Sequence, residues 1–382
     1  MESEKSYQNK LKLFVVVFST LTIIVVVFNV FMNPYGYYSD YQFEEKAINN
    51  DRIAKYQWIK ELEEQPECYS FGSSNSMRIS PDSLESITGL KSFNYGMFHA
   101  TAEDFWSILN ALLEADVKRP KLVVFCLDDW NFADKPAPAD EVFSGAEKRL
   151  AYKPVFAHHL KDYSIMKLYW ARFKSALQIS QLKVSWSGFF KMITNGSSFE
   201  RKLTNMTDIF YENGTRIKYG SLNDPDYDLT DTCETGTFEM SEYLREVDSL
   251  WKCFPISHTG LMSKSHEDFD NFSQRRLELF YQTILKLEEI DCKVVINIMP
   301  NQPFHRDLIV EKTNYLERLE NFKLYLSWIE SRFKNVICVK DNNDVKNFNG
   351  FENHFFDHIH PTSVNSDLMI ESFRTELENY AF

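Results

Sequence analysis

The feature that most constrains this chain is an uncharged, apolar stretch near its N-terminus, Leu13 to Met32. As a helix this stretch spans about 30 Å, which matches the hydrocarbon core of a bilayer. It is either a cleaved signal peptide or an uncleaved anchor. The length of the run and the bulky residues before Asn33 and Pro34 favour the anchor. The sequence therefore predicts a tail (1–12), a transmembrane helix (13–32) and a domain (33–382).

The charges on either side of the apolar stretch predict its orientation. Lys5, Lys10 and Lys12 precede it, and acidic residues follow it before the next lysine. Under the positive-inside rule the N-terminus is cytoplasmic. We therefore expect a single-pass protein of the cell membrane whose domain lies outside the cytoplasm, in a periplasm or on the cell surface.

Beyond the anchor, short apolar runs alternate with helical patterns. The run Lys121–Leu127 is continuous, which is typical of a strand buried on both faces of a parallel sheet. Strands alternating with helices predict right-handed crossovers. We expect an α/β fold, a three-layer α/β/α arrangement with a mainly parallel, flavodoxin-like five-stranded sheet. A long mixed insertion at about 128–272 interrupts it, and an amphipathic helix over 42–64 leads into it. The five predicted strands are 68–71, 91–94, 121–127, 293–299 and 335–339.

Composition limits the possible partners and cofactors. The formal net charge is -13 and no basic stripe occurs, which argues against nucleic-acid binding. Of the six cysteines, Cys233 and Cys253 lie in a polar region where they are either free or joined by a disulfide. The others occupy strand-like runs, where buried free thiols are expected: Cys68, Cys126, Cys292 and Cys338.

Small and polar residues follow each predicted strand. Ligands of open parallel sheets bind beyond the carboxyl ends of the strands, so these residues are expected to share one edge. In strand order they are Ser74, Gly96, then Asp128, Asp129 and Asn131, then Asn301 and Gln302, and finally Asp357 and His360.

Three of these residues suggest nucleophilic catalysis. The hydroxyl of Ser74 needs a base, and His360 is a candidate. Asp357, three residues before His360, is placed to accept a hydrogen bond from one imidazole nitrogen and leave the other facing the serine. The backbone N–H groups of Ser74 and Gly96 are candidate donors to an oxyanion. The alternatives are that Ser74 is an ordinary turn serine and that His358 is the base.

The same residues carry a resemblance to a known family. The chain resembles the SGNH (GDSL-like) hydrolase superfamily, and more narrowly the extracytoplasmic proteins that work beside polysaccharide O-acyltransferases. Three segments match its blocks: Gly72-Ser73-Ser74, Asn94-Tyr95-Gly96 and Asp357-His358-Ile359-His360. The resemblance implies Ser74 as nucleophile, His360 as base, Asp357 as its orienting residue and Gly96 as an oxyanion donor. The family's Gly-x-Asn-Asp block is absent; Asn131 in the corresponding segment is a candidate for the missing amide donor.

The resemblance implies serine-dependent acyl transfer or ester hydrolysis on a cell-envelope or exported glycan, without a cofactor. The implied partners are the glycan and a multispanning membrane O-acyltransferase. The alternative is a catalytically inactive envelope protein of the same fold that binds the glycan or the acyltransferase.

A few side chains near these segments have two interpretations. Arg78 either holds an anionic group of a substrate or forms a surface salt bridge. Asp128 and Asp129 either orient a donor at the sheet edge or are solvated. The histidines around Asp357 lack a cysteine and suitable spacing, so no metal site is predicted. Aromatic residues either stack on sugar rings or belong to the core or an interface: Trp106, Trp130, Tyr169 and Trp170.

Overall fold

A computed structural model describes most of the chain. The predicted residues Cys233, Cys253, Asp357 and His358 lie outside the described residues. The described residues are 2–34, 38, 41–43, 51–134, 154–160, 164–196, 199–201, 213–215, 269, 271–352, 354–355, 359–380 and 382.

The described elements alternate along much of the chain. The helices are α1 (Glu2–Met32), α2 (Asp51–Glu61), α3 (Pro81–Thr88), α4 (Ala102–Glu114), α5 (Pro154–Ala157), α6 (Ile165–Ala176), α7 (Ile179–Asn195), α8 (Gln274–Glu289), α9 (Pro303–Lys312), α10 (Tyr315–Arg332), α11 (Ser363–Glu371) and α12 (Arg374–Glu378). The strands are β1 (Tyr41–Phe43), β2 (Cys68–Gly72), β3 (Ser92–Gly96), β4 (Leu122–Leu127), β5 (Phe199–Arg201), β6 (Lys293–Ile298) and β7 (Val336–Asp341).

Five strands form one parallel sheet, in the order β3-β2-β4-β6-β7. This confirms the predicted α/β fold and its five-stranded parallel sheet. The end of β2 is in register with both neighbours, because Gly72 pairs with Gly96 and with Cys126. The C-terminal ends of β2, β3 and β4 therefore lie side by side, and the segments that follow them begin at the same edge.

Successive side chains of β4 point to opposite faces of the sheet, and helices cover both faces. Val124 and Cys126 belong to a cluster that includes Leu84 of α3 and Phe373 beside α12. Phe125 points the other way and packs against Phe105 of α4 and Phe280 of α8, with ring centroids 5.6 and 5.1 Å apart. All of β4 is buried, as expected for a strand that is covered on two sides.

Helix α2 corrects the prediction of one helix over 42–64. Among the described residues of this range, the structure has a strand at Tyr41–Phe43 and a helix at Asp51–Glu61. The predicted apolar positions Ile53 and Ile59 are buried. Lys55 is buried as well, and its Nζ donates to three carbonyl oxygens, those of Asn94 (3.0 Å), Gly96 (2.8 Å) and Gly214 (2.7 Å). The charged side chain of Lys55 therefore holds this helix through tertiary hydrogen bonds. A periodicity pattern does not reveal such bonds.

The chain divides into two compact units. One unit joins Met1–Asn50 to Leu150–Met206, and the other joins Asp51–Arg149 to Thr207–Phe382. The second unit contains the five-stranded sheet. The N-terminal helix therefore shares a unit with part of the predicted insertion.

The unit that contains α1 also holds α6, α7 and an antiparallel pair. β1 pairs with β5, with Tyr41 opposite Arg201. In the described part of the chain, one helix is long and apolar enough to cross a membrane, and its candidate span is Ser6–Met32. A signal sequence shares this length and composition, and the orientation predicted from the lysines stays a prediction.

Candidate active site

Ser74 and His360 meet at the carboxyl edge of the sheet. The Oγ of Ser74 lies 2.8 Å from Nε2 of His360, although 286 residues separate them in the chain. With the ring proton on Nδ1, the hydroxyl donates its hydrogen bond to Nε2. Ser74 is 8% exposed, so the hydroxyl is partly shielded from water.

The serine turn, Ser73–Ser76, follows β2 as a short 3₁₀ segment. Asn75 N donates to Ser73 Oγ (3.2 Å), and Ser76 Oγ donates to Ser73 O (2.7 Å). The turn folds back on the strand ends so closely that a side chain at either strand-end glycine would overlap it. A Cβ on Gly96 would lie 2.7 Å from Ser76 Oγ, and one on Gly72 would overlap Ser76 and the carbonyl of Cys126. Glycine is required at both positions by close packing.

Asn94 ties the serine turn to β3. Its Nδ2 donates to Ser76 O and to Ile79 O, both at 2.8 Å. Its Oδ1 accepts from Gly96 N at 2.7 Å. The N–H of Gly96, which the sequence suggested as an oxyanion donor, is therefore hydrogen-bonded to a side chain here. The Asn94-Tyr95-Gly96 segment orders the turn, a role that the sequence analysis did not assign to Asn94.

Asp128, which follows β4, holds both neighbours of Ser74. Its Oδ2 accepts from Ser73 Oγ at 2.5 Å, and its Oδ1 accepts from Asn75 Nδ2 at 2.7 Å. Asp128 is 8% exposed and Asp129 7%, so the interpretation of both as solvated is wrong. These contacts fit the other interpretation of Asp128, that it orients a group at the sheet edge.

Two other predicted residues are buried in the wall of the site. Asn131 accepts from Asp128 N at 2.7 Å and donates from Nδ2 to Ala100 O at 2.8 Å. These bonds fix the exit of β4. Arg78 is only 3% exposed, so the interpretation as a surface salt bridge is wrong. It lies two residues after the serine turn.

The loop that carries His360 is held by Asn365 of α11. The amide of Asn365 donates to Phe351 O (2.8 Å) and His354 O (2.9 Å), and its Oδ1 accepts from Phe351 N (2.8 Å). Phe355 and Pro361 form an antiparallel bridge across the loop. Asn365 shows no local sequence signal of this function, because its partners lie in an irregular segment. The orienting residue Asp357 and the rival base His358 lie outside the described residues of this loop.

A small hollow opens beside the serine turn at the same edge. Asp128 and Trp130 lie on one side of it, and Met299, Tyr315 and Asn343 on the other. Among the predicted edge residues, Asn301 lines it and donates to Tyr315 Oη at 3.2 Å. Gln302 instead caps α9 by accepting from His305 N at 3.1 Å. Asp128 is shared, because it lines the hollow and also accepts hydrogen bonds from Ser73 and Asn75 of the serine turn.

Cys126 is the thiol nearest to these residues in sequence, and its state excludes it as the nucleophile. Burial raises its pKa to about 12, against a smaller lowering by a hydrogen bond with Asn297. A thiol with such a pKa stays protonated near neutral pH, and the thiolate is the nucleophilic form. Cys68, Cys126, Cys292 and Cys338 are all free and buried, as predicted.

Comparison with known families and curated proteins identifies no relative of this chain. No family model matches it, and no curated protein matches it.

Proposed function

We propose that the protein transfers an acyl group through Ser74, with His360 as the general base. The observation that supports this most directly is the 2.8 Å contact between Ser74 Oγ and His360 Nε2. A serine hydroxyl and an imidazole within hydrogen-bonding reach form the activated pair of serine-dependent acyl transfer. The three segments that resemble SGNH hydrolases support the same assignment.

In the proposed first half-reaction, Ser74 Oγ attacks the carbonyl carbon of an ester. Its proton passes to His360 Nε2 as the new C–O bond forms. Collapse of the tetrahedral intermediate breaks the original C–O bond, and His360 gives the proton to the departing alkoxide. Asp357 is proposed to accept from Nδ1 and to stabilise the imidazolium. The N–H of Ser74 is the proposed oxyanion donor.

In the second half-reaction, a hydroxyl attacks the acyl-serine. His360 accepts the proton of that hydroxyl and returns it to Ser74 as the ester bond to the enzyme breaks. If the hydroxyl belongs to a sugar, the product is an acylated cell-envelope or exported glycan; if it belongs to water, the reaction is hydrolysis. The proposed acyl source is a multispanning O-acyltransferase, with α1 as an uncleaved anchor that places the domain outside the cytoplasm.

The test is turnover of a chromogenic acetyl ester by the full chain. Ser74→Ala should reduce turnover by roughly 10³-fold or more, because no other group replaces the nucleophile. His360→Ala should reduce it comparably, while His358→Ala should retain it. Ser83→Ala is the matched serine control, since Ser83 Oγ donates to Asp367 on the outside of α3. Unchanged turnover in Ser74→Ala would refute the assignment.

One observation favours a second candidate, a non-catalytic protein that binds a glycan or an acyltransferase. Gly96 N is bonded to Asn94 Oδ1, so one of the two expected oxyanion donors is occupied. Covalent labelling by a fluorophosphonate separates the two candidates. A fluorophosphonate adduct on Ser74 of the folded protein supports acyl transfer. A folded protein whose Ser74 does not react supports the binding role.

A further inference from the structure

Helix α6 carries an apolar surface that is exposed among the described residues of its own unit. Its exposed large apolar side chains recur at helical spacing. At 100° per residue they fall within a sector of about 140° of the helix surface. The most exposed, Met166, has 73% of its surface free. Leu168 and Ser175 occupy the opposite, buried side. The exposed residues of this strip are Ile165, Met166, Tyr169, Trp170 and Phe173.

Helix α7 repeats this arrangement. Four exposed apolar residues lie along one side, and Ile179 at its start is 72% exposed. Gln181, Ser185 and Gly188 are buried on another side. By helical periodicity an exposed polar strip that includes Ser187 runs beside the apolar one. The exposed large apolar residues of α7 are Ile179, Trp186, Phe190 and Ile193.

The charge of this helix pair is opposite to that of the chain. The chain has a formal net charge of -13, but residues 164–196 contain five basic side chains and no acidic one. Lys167 and Lys174 flank the apolar strip of α6, and Lys174 Nζ lies 6.0 Å from the centroid of the Trp170 ring. Basic residues beside an apolar strip with tryptophan and tyrosine are typical of helices that lie in a membrane interface.

The helix pair contacts α1 near the end of its candidate span. Phe28 packs against Trp186 and Phe189, with ring centroids 5.1 and 5.7 Å apart. Asn29 Nδ2 donates to Ala176 O, the last residue of α6, at 2.6 Å. Phe28 precedes Met32 by four residues, or about 6 Å along a helix axis. Interfacial helices bury their apolar faces by about 5–10 Å, so the contact occurs at the depth where such helices lie.

We propose that α6 and α7 form a membrane-interface element that binds the leaflet at the C-terminal end of α1. The apolar strips enter the boundary between headgroups and acyl chains, and the lysines and Arg172 face the phosphates of anionic lipids. The lipid surface is favoured over a protein partner because both helices contact α1 near the end of its candidate span, where Val27 and Phe31 are also exposed. The inference depends on retention of α1 and does not depend on the chemistry of Ser74.

The test measures the depth of single fluorescent labels in the full chain, reconstituted in bilayer discs that contain phosphatidylglycerol. An environment-sensitive dye is attached at Phe190→Cys, with Ser187→Cys on the same helix as the matched control. Met166→Cys and Lys167→Cys form an independent pair on α6. Cys233 and Cys253 are replaced by serine in every variant, and intact mass verifies that α1 is retained.

We expect blue-shifted emission at Phe190 and Met166, and quenching by spin-labelled lipid that exceeds quenching at the paired controls by roughly twofold, given an insertion depth of about 5–10 Å. Discs of purely zwitterionic lipid should reduce that difference, because the basic residues then lose their anionic partners. Equal lipid quenching within both pairs would overturn the proposal. A blue shift without lipid quenching would overturn it too, since a second copy or a protein partner would then cover the strips.

Discussion

At the scale of single residues, Asp128 decides how Ser74 is presented. Its carboxylate is bonded to Ser73 and to Asn75, the neighbours of Ser74 on both sides. We predict that Asp128→Ala reduces kcat for ester hydrolysis by about 10²-fold with little change in KM, because misplacement of a reacting group by about 1 Å has an effect of that size. Asp128→Asn should recover part of this loss, since an amide keeps one acceptor. Steady-state kinetics on the chromogenic ester measures both effects.

A matched control separates positioning from general destabilisation. Asp344 also caps a 3₁₀ turn at the sheet edge, where it accepts from Lys346 N at 3.0 Å and pairs with Arg306 at 2.6 Å. Asp344→Ala should lower the melting temperature and leave kcat unchanged. If Asp128→Ala behaves in the same way, with kcat intact, Asp128 supports the fold and does not position the nucleophile.

Residue types and their order along the chain predicted the encounter of Ser74 with His360, because both follow strands that share an edge. They did not predict which backbone N–H groups would be available to bind an oxyanion. Gly96 was a reasonable oxyanion donor by position, yet its N–H is taken by the side chain of Asn94, two residues earlier. Arg78 looked like a surface residue by composition, yet it is buried. Such outcomes depend on side-chain packing between distant segments, which local patterns do not contain.

At the scale of elements, α2 is fixed by a buried ion-pair network. Arg52 Nε lies 2.5 Å from Asp104 Oδ1 of α4, its Nη1 lies 3.2 Å from Asp51 Oδ1, and its Nη2 donates to Phe98 O at 2.9 Å. Burial alone lowers the pKa of Arg52, but the carboxylates of Asp104 and Asp51 outweigh it and raise that pKa above its ordinary value. The guanidinium therefore stays charged and bridges the two helices.

Removal of this cation should destabilise the fold strongly. We predict that Arg52→Met lowers the free energy of unfolding by about 3–5 kcal/mol, because two buried carboxylates lose their counter-ion. The double variant with Asp104→Asn should lose less than the sum of the single losses, since one of those charges is also removed. Lys60→Met, at an exposed position on the same helix, is the control. Additive losses in urea titrations would contradict the network.

Uniform burial made one strand easy to predict from the sequence. β4 was predicted within one residue because its whole length is apolar and covered on both faces. The pattern over about 313–333 predicts a helix, and the structure has α10 there, at Tyr315–Arg332; the preceding helix α9 was not predicted. The strand Tyr41–Phe43 was missed because its partner, Phe199–Arg201, lies far along the chain.

At the scale of the whole molecule, the sheet protects four thiols that report on its integrity. Burial raises the pKa of Cys68, Cys126 and Cys338 to about 12, and it also raises that of Cys292, from an ordinary value of 9.0. In the unfolded chain these thiols ionise near their ordinary value. The stability linked to them is therefore complete below about pH 9 and is lost as the pH rises through about 12.

We predict that iodoacetamide at pH 8.5 leaves these four cysteines unmodified in the native full chain and modifies all of them in concentrated urea. The reagent attacks thiolate, and folded thiols whose pKa is raised well above 9.0 by burial present almost none. Peptide mass mapping resolves each site, and an exposed Ser187→Cys provides a positive control for the reagent. The cysteines lie on different strands or beside them, so they should become reactive together in a urea titration if the sheet unfolds as one unit. Alkylation of Cys126 before the others would show that the edge that carries Ser74 opens locally, which the hydrogen bonds of Asp128 and Asn94 argue against.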